Sequence, residues 1–164
     1  MIPELIYIVI SAIISLILFV TLDLFWKLPE KGGVSGADAV CREIVSIGGD
    51  KNGGWMLGNI ICSPDASAGI LLAACGYWIY GLLGGITSAA LVFIGAHICA
   101  DKGFAGLSGA LSMTTIIWIL STFAGFPLET FIAGMTIAIM LVQGLSSRQA
   151  SKIFGKIWRK ICDA

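Results

Sequence analysis

The chain has 164 residues, 57% apolar and only 12% charged, with ten basic and ten acidic residues and a formal net charge of zero; its mean hydropathy is +0.95. A soluble domain carries roughly a quarter charged residues, so this composition excludes an ordinary water-soluble enzyme. The zero balance also removes any overall field that would steer nucleic acid to the chain. The expectation is one membrane domain over 1–164: an all-α, polytopic transmembrane helix bundle of about five spans.

The first span is predicted over 5–26. Leu5 to Leu22 is free of charge and rich in Ile and Leu, and at about 1.5 Å per residue it nearly crosses a core of about 30 Å. Asp23 and Lys27 follow one helical turn apart, an interfacial ion pair, with Trp26 as an aromatic anchor. No Lys or Arg precedes the apolar run and no small-x-small site follows it, so a retained helix is expected rather than a cleaved leader.

Residues 27–65 read as a cytoplasmic loop holding most of the internal charges and eight glycines. Within it Ala37, Val40, Ile44 and Ile47 recur at helical spacing, which predicts a short amphipathic helix at the membrane surface. The run Gly48-Gly-Asp-Lys-Asn-Gly-Gly54 reads as a loop. It lacks the G-x-x-x-x-G-K-[ST] spacing of a phosphate cradle.

Residues 66–100 are too long for one crossing and tight for two. Gly81, Gly84 and Gly85 sit midway, where a reversal is wanted, so spans are expected over 66–83 and 86–100. Two more follow at 104–124 and 130–145, divided by the breaker Gly125-Phe-Pro127. The tail, 146–164, carries Arg148, Lys152, Lys156, Arg159 and Lys160, half of the basic residues. With the positive-inside rule, five spans put both the 27–65 loop and the tail in the cytoplasm and the N-terminus outside, whereas four would put the basic tail outside. In the tail Ile153, Phe154, Ile157, Trp158 and Ile161 line one helical face. Such a basic amphipathic helix suits either an anionic lipid surface or docking to a partner subunit, through Lys152, Lys156, Trp158, Arg159 and Lys160.

Chemistry-bearing groups are few. His97 and Asp101 stand at i, i+4 near the end of the third span, which fits a proton relay; the plainer reading is an interfacial histidine bonded to nearby backbone. No acid falls in the middle of any span, which argues against the chain moving ions by itself. Cys41, Cys62, Cys75, Cys99 and Cys162 are at least 13 residues apart and read as small apolar groups, so no metal or cofactor is expected in this chain. No G-x-S-x-G surrounds a serine, and the chain is not expected to be an enzyme by itself. Packing signals are stronger: Gly81 and Gly85, Gly106 and Ala110, and Gly134 and Ala138 are small-residue pairs that allow close helix approach, either within the bundle or against other membrane subunits.

The stretch Gly53-Gly-Trp-Met-Leu-Gly-Asn-Ile-Ile-Cys-Ser-Pro-Asp65, with the length and span layout, resembles the small integral membrane subunits of methanogen Eha-type energy-converting nickel–iron hydrogenases. That resemblance covers most of the chain. It implies a supporting subunit in a ferredoxin-reducing, ion-gradient-driven complex in the archaeal cell membrane, with the nickel–iron site and the clusters on other subunits. The partners it implies are other integral membrane subunits and lipid, and no nucleic acid. The alternatives are a small transporter or channel subunit, with the Gly81–Gly85 break as a re-entrant element, or a subunit of another methanogen membrane complex such as the corrinoid methyltransferase.

Overall fold

A computed structural model describes residues 2–27, 35–62, 66–98, 104–144 and 147–162. Every regular element among them is helical: α1 (Ile2–Phe25), α2 (Ser35–Ser46), α3 (Lys51–Cys62), α4 (Ala66–Ile98), α5 (Ala105–Ala124), α6 (Glu129–Gly144) and α7 (Ser147–Cys162). Among the described residues, three stretches are long and apolar enough to cross a membrane: Glu4–Phe25, Lys51–Ile98 and Ala105–Ala124. The bent pair α6 and α7 makes a fourth if it is counted as one span. The protein is therefore an all-helical chain with several membrane-spanning candidates.

Direction can be read from contacts at the helix ends. Tyr7, early in α1, packs its ring 4.6 Å from Phe126, just past the end of α5. At the other end, Trp26 donates its Nε1–H to Ser108 Oγ at 2.9 Å, in the first turn of α5. So α1 and α5 run antiparallel. The Ser11 and Thr130 hydroxyls stand 3.4 Å apart, and a Cβ on Gly134 would lie 2.6 Å from that of Ser11. α6 therefore runs alongside α1 in the same direction, and glycine there lets the two backbones meet. Between α5 and α6 the chain turns on Gly125 in the left-handed region, φ +64°. The Phe126 amide then bonds back to the Leu120 carbonyl at 3.2 Å, closing the helix end.

α4 is two helices rather than one. Tyr80 (φ −139°, ψ 25°) and Gly81 (φ 58°, ψ −148°) leave the helical region. The Gly81 pair of angles is open essentially to glycine alone. The chain reverses there: a Cβ on Gly84 would overlap the Gly76 carbonyl oxygen, and one on Gly76 would reach the Gly84 oxygen at 2.5 Å. In an uninterrupted helix those residues would be about 12 Å apart. The break falls just ahead of the glycine cluster, so Gly84 and Gly85 lie inside the second arm. The arms, 66–79 and 82–98, are about 21 and 25 Å long at 1.5 Å per residue, against about 36 Å for α1 and 30 Å for α5.

The hairpin leans on α5. A Cβ on Gly69 would overlap the Gly106 carbonyl, and one on Gly85 would meet Thr114 Oγ1 at 2.5 Å. Phe93 and Phe104 rings lie 6.2 Å apart, so both hairpin ends sit at the end where α5 begins. α1, α4, α5 and α6 thus form one layer, with Phe19, Ile70, Met113, Phe131 and Met135 fully buried in its core. α2, α3 and α7 form a second layer, α3 lying between the other two.

The run Gly48–Gly54 departs from the loop expected there: it is helical from Lys51 onward. Its glycines serve packing. A Cβ on Gly53 would overlap the Ser151 carbonyl of α7, and one on Gly58 would sit 2.5 Å from the Ala37 carbonyl of α2.

Candidate functional site

The densest set of polar contacts between distant parts of the chain lies where α3 meets α7. Asp50 precedes α3 and caps it: Gly53 donates its amide to Asp50 Oδ1 at 3.1 Å, satisfying one of the orphan N–H groups of a helix start. The same carboxylate takes a charged hydrogen bond from Arg159 Nη1 to Oδ2 at 2.6 Å. The Asp50 amide donates to Ser151 Oγ at 3.0 Å, and that hydroxyl donates to the Arg148 carbonyl at 2.9 Å. Ser151, Gly155 and Arg159 are spaced by four, so they form one stripe down α7. Gly155 lies mid-stripe because a Cβ would collide with the Asp50 carboxylate.

Partial burial pushes the Asp50 carboxyl up. The Arg159 hydrogen bond and charge, with the Gly53 and Asn52 amides, outweigh it and hold Asp50 below the ordinary carboxylate range. Arg159 is about half exposed, its side chain at 49%, so the ion pair itself contributes at most about 1 kcal/mol. The cap adds about 0.5–2 kcal/mol. Beside it, burial and then Asp38 raise the Cys41 thiol, and its S–H donates to the Lys51 carbonyl at 3.4 Å. A buried thiol of raised pKa is a poor nucleophile.

A second polar feature runs along α1. Ser11, Ser15, Phe19 and Asp23 recur every four residues and are 0%, 0%, 0% and 1% exposed. Ser15 Oγ and both amide atoms of the buried Asn59 in α3 make no hydrogen bond among the described residues. Buried polar atoms without partners are uncommon, each costing about 1–3 kcal/mol.

The residues read as candidates from sequence are distributed as follows. Asp23 is buried in the bundle, while Lys27 is exposed with φ +52°. His97 is exposed at the end of α4, its ring 4.6 Å from that of Phe93. Asp101 lies outside the described residues, as do Cys99 and the side chain of Cys62. Gly81 forms the hairpin turn, with open space around a would-be Cβ. Gly85, Gly106 and Gly134 each face a neighbouring helix, and Ala110 and Ala138 are fully buried. In α7, Trp158 is buried at 2% and Arg159 is bound to Asp50, whereas Lys152, Lys156 and Lys160 are exposed.

Sequence reading missed the Asp50 junction. Its signal was present: an Asp three residues ahead of Gly53, and Ser, Gly and Arg spaced by four in the tail. The α1 stripe was legible in the same way, as Ser11, Ser15 and Asp23 on one helical face.

Chemically, these groups join helices. Among the described residues no three His, Cys, Asp or Glu side chains gather within reach of one metal ion. The Asp50–Ser151–Arg159 group caps, bridges and pairs. The family model described as EhaB-like matches residues 4–161. No curated protein and no solved structure gives a match.

Proposed function

The chain belongs to the EhaB-like family, and on that footing we propose that it is a non-catalytic membrane subunit which packs and supports an ion-gradient-coupled energy-converting hydrogenase. The family match over 4–161 carries this reading. The polar contacts described above tie α3 to α7 and α1 to α6, as a packing subunit requires. Redox chemistry then belongs to partner subunits, and this chain contributes close-packed helices. Purification in mild detergent followed by mass spectrometry tests it. The expected result is co-purification of hydrogenase subunits; a homo-oligomer that conducts ions in liposomes overturns it.

Five spans follow if the α4 hairpin crosses fully. Trp78 and Tyr80 near its tip are 56% and 71% exposed, and such residues favour the membrane interface. Counting α1, both arms of α4, α5 and α6 as spans puts the N-terminus outside and α2, α3 and α7 in the cytoplasm. A hairpin that dips in and returns gives the same sidedness, because two crossings and none have the same parity. The short arms also favour a second reading, in which the hairpin lines a path through the membrane in a channel subunit. A membrane-impermeant thiol reagent applied outside to Leu82→Cys, in a chain whose native cysteines are alanine, discriminates. Labelling supports two crossings, and protection supports a re-entrant element.

A further inference from the structure

We propose that the free edge of α7 is a docking surface for anionic lipid of the cytoplasmic leaflet. The inference rests on the reading above only in taking α6 to cross the membrane and end at its cytoplasmic side. α7 starts three residues after α6 and is bent 102° from it, so it leaves the span nearly in the membrane plane. One side of α7 is already occupied. Ala150, Ser151, Phe154, Gly155 and Trp158 are buried, and Arg159 is taken by Asp50. What remains is a strip of exposed lysines, Lys152, Lys156 and Lys160, beside Ile153 and Ile161, which are 53% and 59% exposed.

Both halves of that strip match one occupant. Lysines four apart on a helix project their ammonium groups along one line, at the height of lipid phosphates. The neighbouring isoleucines reach the acyl boundary below. No acidic side chain stands within α7 itself, whose sequence is SRQASKIFGKIWRKIC. The exposed ion pair Arg42–Asp38 at 2.8 Å is on α2, at the far side of α3. A protein partner would need an acidic, apolar strip of the same pitch. An anionic monolayer offers that chemistry everywhere along the plane in which α7 lies.

The test uses the full chain in nanodiscs of phosphatidylcholine alone or with phosphatidylglycerol, and reads amide exchange over 147–162. At about fivefold for each basic residue near an anionic surface, three lysines should slow exchange by up to about a hundredfold in the anionic discs. High salt should shrink the difference, because the Debye length falls to about 3 Å at 1 M. The combined variant Lys152→Gln, Lys156→Gln, Lys160→Gln should abolish it while α1 and α5 stay protected. Equal exchange of the unmodified chain in both lipids overturns the proposal, whether or not the variant folds. A chain that responds to lipid charge yet co-purifies with no hydrogenase subunit overturns the complex reading and leaves this one standing.

Discussion

Three glycines separate the uses to which this chain puts that residue. At Gly69 a Cβ would overlap the Gly106 carbonyl, whereas at Gly95 it would meet nothing within 4 Å. Gly69→Ala should therefore destabilise the protein by about 1–3 kcal/mol through overpacking, while Gly95→Ala should be neutral or slightly stabilising because alanine is the better helix former. Thermal unfolding in one detergent compares them directly. Gly81 has space but needs φ +58° with ψ −148°, so Gly81→Ala should cost about 1–3 kcal/mol by strain alone. The sequence showed small residues at helical spacing but could not divide them among these roles. Spacing records which residues share a face, and says nothing of what lies opposite. Asp23 shows the same limit: its spacing from Lys27 suggested an ion pair, and spacing alone did not show that the carboxylate is only 1% exposed.

The element with the most separable behaviour is α7. Its junction with α3 uses a carboxylate whose pKa is depressed, so that contribution to stability is present at neutral pH. It is lost as pH falls below the ordinary Asp value of about 3.9 and through the lower folded-state value. Fluorescence of Trp158, taken as the difference from Trp158→Phe, should stay constant from neutral pH to about 5 and change below about 4. Asp50→Asn keeps a cap oxygen for Gly53 but loses the charge that holds Arg159. It should remove the acid transition and weaken α7 docking already at neutral pH, by about 1 kcal/mol or less for so exposed a pair. The basic tail helix and the short helix over 37–47 could be anticipated from the 3.6-residue period of their apolar residues. α3 could not, because Gly53, Gly54 and Gly58 look like loop residues until the backbones of α2 and α7 are seen against them.

On the scale of the whole molecule, the layer of α1, α4, α5 and α6 carries elements of very different reach. Arms of about 21 and 25 Å stand beside an α1 of about 36 Å. Apolar composition made the class of this protein plain from its sequence, and the tail charges gave its proposed orientation. Relative depth was not legible, since it depends on where the turn at Tyr80–Gly81 falls against α5. That mismatch bears on how the chain enters the membrane during synthesis. The first arm of α4, about 21 Å long, is too short to cross about 30 Å of hydrocarbon on its own, and the close faces at Gly76 and Gly84 exist only when both arms are present. Stable insertion should thus be delayed until the second arm has emerged, and be locked only by α5, through Gly106 and Thr114. Truncated chains ending at 81, 98 and 125 all keep the α1 anchor, so the readout is the first arm itself: Leu72→Cys, in a chain whose native cysteines are alanine, should be labelled by a water-soluble thiol reagent in chains ending at 81. Labelling should be partial in those ending at 98 and lost in those ending at 125, so that biogenesis proceeds by a helical pair and its clamp rather than span by span.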